Sequence, residues 1–340
     1  MSDFGRNREA KVGITLGNRT YPSLVASLES PLRQVEALLE DQLSSEDIHV
    51  ASMLEYVRGL SGKRMRPVLT LLSAEACGDR NAESVRLAAV VELVHTATLI
   101  HDDVLDGAEI RRHRPSLHRK WNPKAAILIG DWVFTQAYRL ANSGDSVDPG
   151  ICVAEAAKKI CEGELLQDAA IENWELSEKE CLEIVAAKTG ELSSVACRLG
   201  AWSADADRLE TQALQRYGMD LGIAFQLQDD WLDYWGDRQA LGKPMFGDLR
   251  TKKPTIPLVH WLGQLNREER QEWAVILDHM DEASELSVLK AIDQSDSREY
   301  TRQLALTFAA RAQGHLAVLR DSDAKMRLME LAKLCVFRIL

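Results

Sequence analysis

Residues 82–107 read AESVRLAAVVELVHTATLIHDDVLDG. Asn81 precedes them as an N-cap, and the pattern predicts one helix from Ala82 to about Asp106. It is apolar over most of its length and ends in a knot of carboxylates. At 1.5 Å per residue, a helix of about 20 residues spans about 30 Å. A bundle of such helices is deep enough to hold an elongated cavity between them.

Helix signals continue on both sides of this segment. Ser30-Pro31 offers an N-cap and a first-turn proline ahead of Leu32, Val35, Leu39 and Leu43. Val50, Met53, Leu54 and Val57 repeat the spacing. Pro67 opens a further segment and Gly78 closes it. Asn122-Pro123 starts the next helix, and another is expected from about Gly150 to Ala170. Ser177-x-x-Glu180 is a capping box ahead of Cys181 to Trp202. A helix is expected from about Asp205 to Trp235, and Pro254 opens a series of shorter ones. There is no sustained period-2 alternation and no Asn-Gly turn. The fold class is therefore all-α. Residues 1–22 read as a polar tail, and 23–340 as a single domain without a linker or a fixed repeat.

Composition narrows the function. The 340 residues hold 52 Asp+Glu against 41 Lys+Arg, a formal charge of −11. That balance argues against nucleic acid as a partner and against adsorption to anionic membranes. No uncharged apolar run is long enough for a membrane span, and the N-terminus has no signal-peptide pattern. Cys77, Cys152, Cys161, Cys181, Cys197 and Cys335 follow no metal or disulfide spacing. They read as reduced core thiols of a cytoplasmic protein.

Two acidic clusters carry the chemistry. Asp102, Asp103 and Asp106 form one DDxxD; Asp229, Asp230 and Asp233 form another. Positions i and i+4 share a helix face, so Asp102 projects with Asp106, and Asp229 with Asp233. Carboxylates at a helix C-terminus oppose its dipole and call for cations. Magnesium suits them, being held by one or two carboxylates plus substrate phosphates. Chance acidic helix ends are the bland alternative for one cluster, and the duplicate argues against it. An EF-hand reading of the first cluster fails at Val104 and His113.

Basic residues gather beside the acids. Lys63, Arg64 and Arg66 precede a helix. The loop RRHRPSLHRK, residues 111–120, follows the first cluster, and Lys243, Arg250, Lys252 and Lys253 follow the second. Such side chains bind phosphate oxygens, so the combination points to a metal-assisted diphosphate site. No Walker A loop, HExxH or GxSxG motif is present.

On these residues the chain resembles the trans-isoprenyl diphosphate synthases, also called polyprenyl synthetases. The resemblance spans roughly residues 30–335 and rests on GKRMRP, HTATLIHDDVLD with its following arginines, EGELLQ, AKTGEL, FQLQDDWLD and GKPMFGDLRTKKPTIP. It implies an isoprenoid-synthase helical bundle, a homodimer, and magnesium, about three ions per site. By the same resemblance Asp102, Asp106, Asp229 and Asp233 hold metal, with Asp103 and Asp230 beside them. Arg111, Lys188, Thr189, Gln226, Lys243 and Lys253 contact an allylic diphosphate. Lys63, Arg66, His95 and Arg112 hold isopentenyl diphosphate. His113 departs from the family pattern, which commonly has glycine there.

Product length is read from the helix above Asp102. Ala97 lies about 7.5 Å down that helix and Thr98 one residue nearer. Small side chains there leave the cavity open and favour a long-chain all-trans product. In the counter-reading Trp132, Phe134 or Tyr138 closes the cavity, giving a geranylgeranyl or farnesyl product. A class I terpene cyclase does not match DDWLD, and a non-catalytic partner subunit has no reason to keep both acidic clusters.

Overall fold

A computed structural model describes residues 21–60, 62–236 and 246–337. Lys243 lies outside the described residues, as does most of the segment read as an N-terminal tail. Tyr21 and Pro22, the end of that segment, already belong to a helical turn, α1 (Tyr21–Val25).

The helices follow in order: α2 (Glu29–Gln42), α3 (Ile48–Arg58), α4 (Met65–Cys77), α5 (Ala82–Leu105), α6 (Leu117–Lys120), α7 (Pro123–Ala141), α8 (Asp148–Ala169) and α9 (Glu178–Val185). A π-helical turn, Ala186–Gly190, then runs straight into α10 (Glu191–Ser203), and α11 (Arg208–Trp235) follows. The C-terminal part holds α12 (Gly247–Arg250), α13 (Ile256–Gln264), α14 (Arg267–Asp278), α15 (Glu282–Gln294), α16 (Ser297–His315) and α17 (Asp323–Phe337). The all-α expectation holds. Among the described residues the extended structure is one two-residue hairpin, β1 (Ile110–Arg111) against β2 (Arg114–Pro115).

Local signals set most helix ends. Asn81 Oδ1 accepts from Ser84 N–H at 2.9 Å and opens α5. Asn122 caps α7 ahead of Pro123. Ser177 and Glu180 form the expected capping box. Two starts differ: α2 begins at Glu29, so Ser30 and Pro31 lie inside its first turn, and α4 begins at Met65, two residues before Pro67.

α5 is buried on most sides. Val85, Leu87 to Val91, Leu93, Val94, Ala97 and Ile100 all join the main apolar core. α4, α7 and α10 pack around it, and α11 packs between α10 and α16. No cysteine is in a disulfide; four are buried, but Cys161 is exposed on α8, contrary to the reading of all six as core thiols. Among the described residues no helix is long and apolar enough to cross a membrane.

Candidate active site

The C-terminal end of α5 divides its aspartates between two cavities. Asp103 faces one of about 200 Å³, lined also by Arg64, Glu92, His95, Arg111 and Arg112. Asp106 faces the other, of about 180 Å³, with Gln167, Lys188, Thr189, Gln226, Asp230, Asp248 and Lys253. Asp103 and Asp106 are three residues apart, so the helical period alone would set them near one face; their partners separate them, Arg111 holding Asp103 and Lys253 holding Asp106.

In the second cavity the polar groups link the π-helical turn to α8 and α11. Lys188 Nζ lies 2.6 Å from Glu164 and donates to Gln167 Oε1 at 2.7 Å. Thr189 Oγ1 donates to Gln226 Oε1 at 3.0 Å, and Gln226 Nε2 donates to Asp230 Oδ1 at 2.9 Å. Lys188 and Thr189 sit on the π-helical turn, a distortion common at functional sites. α8 approaches that turn at Gly163, where a β-carbon would stand 2.8 Å from both Ala187 Cβ and Lys188 N. The glycine of EGELLQ is thus a contact requirement.

The second acidic cluster closes this cavity. Asp230 and Asp233 are buried. Asp233 Oδ2 accepts from the Asp248 N–H at 3.1 Å, and its carbonyl accepts from Phe246 N–H at 3.0 Å. These bonds bring the start of α12 over the end of α11. Lys253 then reaches across to Asp106 Oδ1 at 2.6 Å. Burial disfavours the Lys253 charge, but the Asp106 bond more than restores it and its pKa rises. Burial pushes Asp102 up to about 6; Lys188 opposes the shift, while Glu164 and Asp106 add to it.

The first cavity is arginine-rich. Arg111 grips Asp103 with Nε donating to both carboxylate oxygens at 2.8 Å, and Nη2 lies 2.6 Å from Oδ1. Arg111 therefore stands with Arg112 and His95, apart from Lys188 and Thr189, with which the family resemblance grouped it. Arg66 Nη1 lies 3.0 Å from His95 Nε2, and Arg66 Nε is buried without a hydrogen bond among the described residues. Burial holds His95 well below the ordinary histidine value, and Arg66, Arg112, Arg111 and Arg64 add to the effect. A neutral ring accepts at Nε2 from Arg66 and carries its proton on Nδ1. Lys63 is exposed, and its carbonyl accepts from Tyr21 Oη at 2.7 Å.

The hairpin after α5 delivers Arg111 and Arg112. Arg112 and His113 have φ of 51° and 62°, the left-handed pair that a tight hairpin turn requires. This explains the usual glycine at 113, which adopts that conformation without strain. Tyr56 on α3 anchors the loop. Its hydroxyl donates to Pro115 O at 2.8 Å, and Arg114 and Lys120 stack on its ring at 4.3 and 3.8 Å.

Sequence reasoning assigned no role to Glu164, Gln167, Asp248, Glu92 or Tyr56. Glu164, Gln167 and Asp248 lay within quoted motifs. The others carry no local signal, since their partners are distant in sequence.

An α-helical bundle with two aspartate clusters and two cationic cavities defines a class of enzyme acting on diphosphates. Residues 48–294 match the model of the polyprenyl synthetase family. The chain is 34% identical over 310 residues to the short chain isoprenyl diphosphate synthase of Methanothermobacter thermautotrophicus, covering 88% of this chain and 95% of that protein. It is also 34% identical over 305 residues to the octaprenyl diphosphate synthase of Escherichia coli, covering 89% and 94%. A polyprenyl synthase from Caulobacter crescentus, solved in complex with calcium and isoprenyl diphosphate, superposes with a TM-score of 0.87 at 35% identity, covering 93% of this chain and 97% of that one. The chain belongs to the polyprenyl synthetase family and is a prenyltransferase, a trans-prenyl diphosphate synthase.

Proposed function

We propose that this enzyme condenses isopentenyl diphosphate with an allylic diphosphate across the end of α5. The observation that carries the reading is the pair of cavities at the same helix end, one lined by Asp103 and the other by Asp106. The cavity of Lys188, Thr189, Gln226 and Lys253 takes the allylic diphosphate; Lys243, outside the described residues, is assigned to it from the sequence. The cavity lined by His95 and Arg112 takes isopentenyl diphosphate; Arg66 stands against His95, and Lys63 is assigned to the same substrate from the sequence.

The acidic residues fit a divalent metal. Among the described residues no three acidic, histidine or cysteine side chains converge on one point. Magnesium needs no such preformed trio, because substrate phosphates complete its shell. The donors are all hard oxygens. Asp102 is an anion that burial disfavours, and a cation relieves that cost. Asp102, Asp106, Asp229 and Asp233 would hold magnesium, about three ions per site, with Asp103 and Asp230 bracing them. When bound, it supplies Lewis-acid neutralisation of the departing diphosphate.

The protein's own groups do the rest. Lys188 and Lys253 stand where charge builds on the leaving oxygen as the allylic C–O bond ionises. The first cavity holds the C=C of isopentenyl diphosphate within reach of the cation, making the attack effectively unimolecular. The apolar core behind α5 excludes water that would quench the cation. Diphosphate leaves, and the proton lost from the new adduct passes to it.

The long-chain reading rests on small side chains at Ala97 and Thr98. Equal identity to a short-chain and an octaprenyl synthase leaves the length to those residues. The homodimer reading is supported by Ile127, Leu128, Tyr138, Ile151, Leu165 and Leu166, large apolar side chains exposed on α7 and α8. A cytoplasmic location accords with six cysteines that form no disulfide. The test is incubation of the purified chain with magnesium, isopentenyl diphosphate and farnesyl diphosphate, with product masses measured. All-trans elongation is expected, and Asp102→Ala and Asp233→Ala should each lose at least about 100-fold in turnover. A cyclised hydrocarbon, or near-normal turnover in either variant, would contradict the assignment.

A further inference from the structure

We infer that Glu92 is a positioning residue for the arginines of the first cavity, acting through Arg64. The inference rests on the reading of that cavity as the isopentenyl diphosphate site.

Glu92 is 4% exposed, an uncommon place for a carboxylate unless it is paired. It lies on α5 one turn before His95. Its Oε1 accepts from Arg64 Nη1 at 2.7 Å, and its carbonyl accepts from Thr96 Oγ1 at 2.8 Å. Arg64 is held on its other edges by Glu36 of α2, at 2.5 Å from Nε and 2.9 Å from Nη2. With two carboxylates on its guanidinium, Arg64 serves as a brace between helices.

The backbone shows what the brace fixes. Arg64 has a φ of 54° at the N-cap of α4, a left-handed conformation that is unfavourable for a non-glycine residue. Such a conformation persists where surrounding contacts over-determine it, and the Glu36–Arg64–Glu92 chain supplies those contacts. The turn it makes sets the direction of α4 and so places Arg66, two residues on, against His95 at 3.0 Å. Arg112 comes in from the hairpin, donates to the Leu60 carbonyl, and lies against Gly62 so closely that a β-carbon there would collide with its guanidinium. Leu60, residues 62–66, the hairpin and α5 thus meet around one buried acid. Burial works against the charges on Arg66 and Arg112, and in each case the Glu92 carboxylate is the group that most opposes it.

Two roles for Glu92 predict opposite signs. As a bare charge, Glu92 repels an incoming diphosphate, so removing it tightens binding. As a positioning residue it orders the guanidiniums, so removing it weakens binding. Glu92→Gln and Glu92→Asp separate these, because Asp keeps the charge and loses the reach. The measurements are KM for each substrate, kcat and melting temperature. The expected result is a rise of at least about 10-fold in the isopentenyl diphosphate KM for Glu92→Gln and a smaller rise for Glu92→Asp. The allylic diphosphate KM should stay within about twofold. An unchanged or lower isopentenyl diphosphate KM, or an equal rise for both substrates, overturns the inference. Arg64→Met breaks the same bond from its other end and carries the test if Glu92→Gln does not fold. Arg66→Met and Arg112→Met probe the cavity itself: if they leave the isopentenyl diphosphate KM unchanged, the site reading fails and takes this inference with it. If they raise it while Glu92→Gln does not, the inference alone fails.

Discussion

Gly222→Ala tests how the wall of the allylic cavity is set. A β-carbon at 222 would stand 2.8 Å from Gly190 Cα, 3.1 Å from Thr189 O and 3.2 Å from Ser193 Oγ. The first two are backbone atoms, so no rotamer change clears the overlap. Restoring an ordinary carbon–carbon contact of about 3.5 Å moves the π-helical turn and α11 apart by about 0.7 Å. Overpacking of this kind costs about 1–3 kcal/mol. With an unfolding entropy of about 2 cal/mol/K per residue, a chain of this length should lose about 1–4 °C in Tm. Gln226 sits one turn beyond Gly222, and its bond from Thr189 is 3.0 Å long. The same displacement stretches it past the hydrogen-bond limit of about 3.5 Å. Loss of one such bond, about 0.5–1.5 kcal/mol, should raise the allylic diphosphate KM about 2- to 10-fold. The isopentenyl diphosphate KM should hold, because that cavity is lined by other residues. Gly218→Ala is the control: its β-carbon would strike the Ser193 carbonyl, one turn farther from Gln226, so stability should fall with a smaller change in KM. Steady-state kinetics and scanning calorimetry measure both effects. An unaltered allylic KM in Gly222→Ala, or an equal rise for both substrates, would refute the reasoning.

Other consequences follow from the same geometry. His95 is held well below its ordinary pKa by burial and neighbouring arginines, so its contribution to stability is present above about pH 6.5 and lost as pH falls through the unfolded value. Tm should therefore drop less for His95→Gln than for the wild type between about pH 7 and 5; parallel profiles would contradict a neutral His95. Tyr56→Leu removes two cation–π contacts of about 0.5–1 kcal/mol each and the bond to Pro115. It should raise the isopentenyl diphosphate KM several-fold and spare the allylic one, and unchanged kinetics would show that the hairpin holds its shape without Tyr56. Ala97→Phe should shorten the product, read by mass spectrometry; an unchanged mass distribution would remove Ala97 from the cavity floor.

The elements legible in the sequence are those fixed by neighbours a few residues away. Asn81 and Ser84, Asn122 and Pro123, and Ser177 and Glu180 are local pairs, and they mark the helix starts that the structure confirms. The i, i+4 spacing likewise foretells that Asp102 and Asp106 share a face. A family resemblance supplied the basic residues around them. It could not show that Arg111 pairs with Asp103, because that depends on where the hairpin folds back.

What the chain alone determines is an all-α bundle whose central helix ends in carboxylates beside clustered cations. Tertiary structure decides which cation meets which acid. Lys253 reaches Asp106 across 147 residues, Arg64 reaches Glu92 across 28, and Thr189 reaches Gln226 across 37. No periodicity encodes such pairs. Burial completes the difference: a carboxylate at position 92 or 102 reads as an ordinary charge in sequence, and only packing makes the first a paired buried acid and raises the second to about 6.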